Sequence, residues 1–139
     1  KTIVKNKSII LIDDSLVRGT TSHKIVKMLY ESGAKEVHVR ISCPEIKFPD
    51  FYGVDMPTKE ELLAHKKNIS EMTDYIKAKS LKFLSLDGLY KALTGTSRNP
   101  RYPQFSDHYF TGDYPVKPYD NLQGLKVKQL SLLSGKSNN

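Results

Sequence analysis

One stretch, Lys7 to Ser22 (KSIILIDDSLVRGTTS), constrains the fold more than any other part of the chain. Its apolar run Ile9-Ile10-Leu11-Ile12 is too short to cross a membrane. It is continuous rather than alternating, the pattern of a strand covered on both faces in a parallel sheet. The run ends in adjacent carboxylates, Asp13 and Asp14, and Arg18-Gly19-Thr20-Thr21-Ser22 follows, where helical spacing begins. The expected unit is a buried strand, a ligand-binding turn and a helix N-terminus.

Downstream, Thr20 to Ser22 offer capping hydroxyls, and Ile25, Met28 and Leu29 repeat at helical spacing until Gly33 stops the pattern. From Glu36 to Ser42 the residues alternate, with Val37, Val39 and Ile41 on one face. A second strand parallel to the first, joined by a right-handed crossover, is expected. Cys43 to Pro57, rich in proline and aromatic residues, reads as a long ordered loop. Thr58 to Glu61 has capping-box spacing and should open a short helix through Leu62, Leu63 and His65. Another helix is expected from Ser70, with Met72, Tyr75 and Ile76 as its apolar stripe. Leu81 to Leu86 reads as a third strand, and Asp87 as the cap of a helix containing Leu89, Tyr90 and Leu93 that Gly95 closes. The fold class is therefore α/β, a mostly parallel sheet flanked by helices. Residues 1–95 form the α/β unit, 96–124 an irregular arm whose aromatics should pack on something, and 125–139 a tail with a short helix before a disordered end.

A chain of 139 residues is long enough for one core, and the +7 formal charge favours anionic partners. Sign alone does not choose among phosphorylated metabolites, nucleic acid and acidic membranes. Lysines such as Lys24, Lys27, Lys66 and Lys126 are spaced as solvated faces, and no nucleic-acid module pattern accompanies them, so no nucleic-acid partner is expected. Nor is a membrane, and a cytoplasmic location is the plain expectation. Cys43 is the sole cysteine, read as a small buried residue, which leaves no internal disulfide and no cysteine-held cluster.

Two acids at a strand end lie where ligands bind in open α/β sheets. Carboxylates there can hold a sugar diol or coordinate a hard cation. Gly19, the hydroxyls of Thr20, Thr21 and Ser22, and the free N–H groups of a helix start suit a phosphate. One molecule with hydroxyls at one end and a phosphate at the other, such as a ribose 5-phosphate, satisfies both halves. No G-x-x-x-x-G-K-[ST] is present, which argues against a nucleoside-triphosphate loop. A receiver-type phosphoacceptor would need a further Asp at the end of the next strand, where Arg40-Ile41-Ser42-Cys43 stands instead.

IILIDDSLVRGTTS resembles the phosphoribosyl-pyrophosphate signature of type I phosphoribosyltransferases. With GAKEVHVRIS, PEIKFPDFYGVDMPTKEELLAH and FTGDYP, the chain resembles the C-terminal part of glutamine phosphoribosylpyrophosphate amidotransferases over about residues 1–120. The resemblance implies a partial type I phosphoribosyltransferase fold. Asp13 and Asp14 would be the catalytic acids that meet the ribose hydroxyls of phosphoribosyl pyrophosphate, directly or through Mg²⁺. Arg18, Gly19, Thr20, Thr21 and Ser22 would hold the 5-phosphate, with the direction of the Arg18 side chain left open. The reaction implied is displacement of pyrophosphate from C1 by ammonia, the first step of purine biosynthesis.

The resemblance also sets out what this sequence lacks. The family's N-terminal cysteine nucleophile and the earlier strands of the transferase domain are not in the chain, which opens on Lys1 rather than Met. The tail YPQFSDHYFTGDYP has no cysteine for the iron–sulfur cluster that some relatives carry, so no such cluster is expected, and His108 reads as a surface or stacking residue. Lys77 stands where relatives usually close a helix with glycine. An incomplete sheet should leave edges that pair, so a homo-oligomer or a complementing chain is expected. The competing expectation is a catalytically inactive remnant that senses a nucleotide or sugar phosphate, or binds a partner.

Overall fold

The computed structural model describes residues 3–53 and 58–117. The tail helix expected after residue 124 and the end of the long loop lie outside them. Three parallel strands, β1 (Ser8–Asp13), β2 (Glu36–Ile41) and β3 (Ser80–Phe83), form a sheet in the order β1-β2-β3. Register runs Ile9 to Val37, Leu11 to Val39 and Asp13 to Ile41, with Val39 opposite Leu81 on the far side. The strands are joined through α1 (Thr20–Glu31) and then through a 3-10 turn (Lys59–Glu61), α2 (Leu63–Lys66) and α3 (Ile69–Ile76). α4 (Leu86–Thr94) and α5 (His108–Thr111) complete the described elements. The α/β class with a parallel sheet flanked by helices is the one the sequence implies.

The alternation in β2 sets the core. Val37, Val39 and Ile41 are buried, and Leu81 of β3, Val26 of α1, and Met72 and Ile76 of α3 close over them, with Ile9 and Leu11 packed alongside. Leu16, from the turn that follows β1, belongs to the same buried cluster.

The opposite face differs from the expectation of a strand covered on both sides. Ile10 and Ile12 are 66% and 72% exposed among the described residues. Their neighbours on that face are hydrophilic: His38 Nδ1 lies 2.8 Å from Ser80 Oγ, and Arg40 Nη1 donates to the same hydroxyl at 3.1 Å. A continuous apolar run reports the chemistry of a strand, while coverage depends on which elements the remaining residues bring to it.

Helix ends follow local chemistry, with shifts of one to two residues. Asn68, rather than Ser70, caps α3 through a reciprocal box with Glu71, and Ser85, rather than Asp87, caps α4 by accepting from the Gly88 N–H at 3.0 Å. The single helix expected after Thr58 is two pieces: the Thr58/Glu61 box closes the 3-10 turn, and Leu62 is extended before α2 begins. Gly95 ends α4 in the left-handed conformation, as expected. Lys77 ends α3 in the same region, at φ 58° and ψ 32°.

The arm after α4 folds back on the loop that follows β2. Tyr114 donates to the Pro49 carbonyl at 2.9 Å, and Lys47 and Phe48 N–H groups both bond the Tyr109 carbonyl. His108 is 2% exposed rather than on the surface, and it is stacked between Tyr109 and Tyr114. Its Nε2 lies 2.7 Å from the buried Asp50 carboxylate, an acceptor, so Nε2 carries a proton and faces Asp50 while Nδ1 faces Ser106.

Candidate functional site

β1 delivers Asp13 as its last residue. The Asp13 carbonyl accepts from both the N–H and the hydroxyl of Ser42 just beyond β2, at 2.9 and 2.8 Å, which fixes the strand end. Its carboxylate accepts from the Asp14 N–H at 3.0 Å, and Ser15 donates its hydroxyl to Asp14 at 3.2 Å. The two acids therefore stand side by side at the mouth of the turn, Asp13 half-buried and Asp14 exposed.

The turn is nailed down by Leu16, which is buried in the core, and by the Leu63 N–H, which donates to the Val17 carbonyl at 2.9 Å. Gly19 then takes φ 75° and ψ −3° and serves as the N-cap of α1. A Cβ there would lie 2.7 Å from Leu63 Cδ2 and 3.0 Å from Tyr75 Cε1, so the position admits glycine on both conformational and steric grounds. The sequence suggested hydroxyl capping by Thr20 to Ser22. Instead those residues form the first helical turn, and no side chain caps it. N–H groups at a helix start without a side-chain acceptor suit an anion.

Asp13, Asp14, Arg18, Gly19, Thr20, Thr21 and Ser22, together with Ser15 and Val17, line one concave cavity of about 280 Å³. Every expected site residue is thus brought to a single place. The Arg18 side chain also reaches a residue outside this lining: Nε donates to Glu61 Oε1 at 3.1 Å. Ser22, which also lines the cavity, is buried. A larger cleft of about 570 Å³ lies elsewhere, at the end of β3 between Leu84 and Phe110, and shares none of the expected site residues.

Glu61, Leu63 and Tyr75 are site-supporting residues that reading the sequence did not single out. Glu61 looked fully explained by its capping box, and nothing in the spacing signals a partner 43 positions away. Cys43 is adjacent in effect as well. Burial pushes its thiol up to about 11, and the negative charge of Asp14 adds to the shift.

Among the described residues no three or more His, Cys, Asp or Glu side chains converge to hold a metal. The Asp13/Asp14 pair nevertheless has the chemistry a magnesium ion takes from protein when water and substrate oxygens fill its remaining positions: one or two carboxylates, all hard oxygen. No helix is long and apolar enough to cross a membrane among the described residues.

No protein-family model matches the chain. It is 50% identical over 135 residues to an amidophosphoribosyltransferase of Rhizobium etli, covering 96% of this chain and 27% of the relative. With the enzyme of the same name from Staphylococcus aureus it shares 52% identity over 120 residues, covering 86% of this chain and 24% of the relative. Its fold matches the glutamine phosphoribosylpyrophosphate amidotransferase of B. subtilis, solved with ADP and GMP, at a TM-score of 0.75 and 44% identity. That match covers 84% of this chain and 25% of the solved one. The chain spans about a quarter of the length of the relatives it matches. By sequence and by fold, then, it is a relative of the amidophosphoribosyltransferases over that quarter of their length.

Proposed function

We propose that this chain binds the ribose 5-phosphate portion of phosphoribosyl pyrophosphate and serves the transferase half of an amidophosphoribosyltransferase reaction. One observation carries the reading: two adjacent carboxylates and an uncapped first helical turn face the same 280 Å³ cavity. The acids suit the ribose hydroxyls, and the N–H groups and hydroxyls of Thr20 and Thr21 suit the 5-phosphate.

Within this reading Asp13 and Asp14 orient the sugar and favour the positive charge that builds at C1 as pyrophosphate departs and ammonia attacks. Both would also hold Mg²⁺, which supplies positive charge to the leaving pyrophosphate. Gly19 to Ser22 fix the phosphate and so the distance from the loop to C1. The Arg18 side chain, engaged by Glu61, contributes its backbone to the loop rather than its guanidinium. The reading extends to purine biosynthesis in the cytoplasm and to assembly with a second copy or a complementing chain.

A second reading, a sugar-phosphate-sensing or partner-binding module without turnover, draws on the exposed Ile10 and Ile12 of β1. Calorimetry decides the first step. Titration with ribose 5-phosphate and with phosphoribosyl pyrophosphate, each with Mg²⁺, should release heat that Asp13→Ala combined with Asp14→Ala abolishes. The absence of heat from either ligand would refute binding. Ammonia-dependent phosphoribosylamine formation by the chain would separate the enzyme from the sensing module.

A further inference from the structure

Exposed ion pairs usually contribute little, and Arg18–Glu61 would be dismissed on exposure alone, with side chains 53% and 47% accessible. Its placement argues otherwise. Arg18 is the residue immediately before Gly19, the cap of α1, and its guanidinium is tied through Nε to Glu61 Oε1 at 3.1 Å. Glu61 uses both carboxylate oxygens: Oε1 accepts from Arg18, and Oε2 accepts from the Thr58 N–H at 3.2 Å. The carboxylate thus links the turn to the start of the 3-10 segment. Two residues on, the Leu63 N–H holds the Val17 carbonyl, and the Leu63 side chain sits against Gly19. Three ties from one short segment, residues 61–63, therefore converge on residues 17–19.

We propose that Glu61 is a positioning residue for the phosphate-binding turn, acting through Arg18 to hold the backbone of residues 18–20 in its anion-receiving form. This rests on the phosphate-binding reading given above. Leu16 and Leu63 anchor the turn at its base by burial and a backbone bond, which fix its path. The peptide between Arg18 and Gly19 carries the N–H that leads into α1, and it is restrained from the Arg18 side by the pair with Glu61 while the Leu63 side chain packs against Gly19. With Glu61 removed, the Arg18 side chain loses its tether and the peptide before a left-handed glycine regains freedom.

The test is a charge swap read by calorimetry with ribose 5-phosphate, with and without Mg²⁺. Glu61→Ala should weaken binding about three- to fivefold, the scale of one exposed charged contact. The factor by which Mg²⁺ strengthens binding should stay unchanged, because Asp13 and Asp14 are untouched. Arg18→Glu combined with Glu61→Arg should recover most of the loss, whereas Arg18→Glu alone should not. A general disturbance of the fold would lower both the phosphate and the Mg²⁺ contributions and would not respond to the swap. Should Glu61→Ala fail to fold, Glu61→Gln keeps the acceptor for Thr58 and removes the charge, and it should weaken binding in the same direction. Wild-type affinity in a folded Glu61→Ala or Glu61→Gln protein, or a swap that restores nothing, overturns the inference while leaving phosphate binding intact. Absence of ribose 5-phosphate binding by the wild type overturns both.

Discussion

Leu63 Cδ2 occupies the space in which a side chain at position 19 would begin: a Cβ on Gly19 would stand 2.7 Å away, with Tyr75 Cε1 at 3.0 Å. The backbone there is left-handed, at φ 75°. Gly19→Ala therefore faces two penalties, the left-handed conformation at about 1–2 kcal/mol and the displacement of a buried leucine. Urea unfolding should show a loss of about 1–3 kcal/mol, and ribose 5-phosphate binding should disappear even where the variant is folded. Unaltered binding in Gly19→Ala would mean that the turn does not need this geometry.

Lys77 presents the opposite case, a left-handed position occupied by a residue with a Cβ. It closes α3 at φ 58°, its N–H bonded to the Asp74 carbonyl, and its side chain is exposed. Replacing it with glycine removes the conformational strain and loses no packing. The unfolded chain gains freedom in return, so Lys77→Gly should raise stability by about 0.5–1 kcal/mol in urea unfolding. Lys77→Val, β-branched, should lower it. Equal stability of the three proteins would show that the strain is absorbed elsewhere.

These two positions show what the sequence made legible. Gly19 was legible because it stands between a strand end and a helix start, in a run whose residue types already suit a phosphate. Lys77 was legible through the departure from glycine that the family resemblance implies. The parallel sheet followed from the alternation of Val37, Val39 and Ile41 and from the apolar run of β1. The open face of β1 was not legible, since Ile10 and Ile12 look identical whether or not another layer reaches them. Nor was the support from Glu61 and Leu63, because contacts between residues far apart leave no spacing to read. Capping shifts at Asn68 and Ser85 reflect the near-equivalence of short polar residues as helix caps, which leaves packing to choose.

Cys43 offers a chemical reading of the charge at the site. Its Sγ donates to the Pro44 carbonyl, and burial, aided by Asp14, pushes its thiol up to about 11. At pH 8 the thiolate is therefore scarce, and alkylation by iodoacetamide should run about 100-fold slower than for an unperturbed thiol. Asp14→Asn removes a nearby negative charge and should speed the reaction, and so should Mg²⁺ if the ion sits on Asp14. Mass spectrometry over time gives the rates. An alkylation rate indifferent to both Asp14→Asn and Mg²⁺ would place the Asp14 charge away from Cys43 and the ion elsewhere.

Asp107 should govern how the arm responds to acid. It is 4% exposed, and its burial works to raise the carboxyl's pKa. Hydrogen bonds from Arg98, Tyr90 and Thr111 outweigh that and hold it below the ordinary carboxylate range. Tyr90 donates to Oδ2 at 2.8 Å, and Arg98 also reaches Asp113 at 2.9 Å. A carboxyl whose pKa is lower in the folded state adds stability that is complete above its unfolded value of about 4 and is lost as pH falls through the folded value. Asp107→Asn should cost about 2–4 kcal/mol at pH 7, because it removes the charge opposite a half-buried guanidinium and leaves the Tyr90 hydroxyl a weaker partner. The gap between wild type and variant should narrow steadily below about pH 4, as the wild type loses what the variant never had. Thermal unfolding followed from pH 7 to pH 3 gives both curves. A gap that stays constant across that range would mean that the Asp107 charge contributes nothing to the attachment of the arm, and that its oxygens serve only as neutral acceptors.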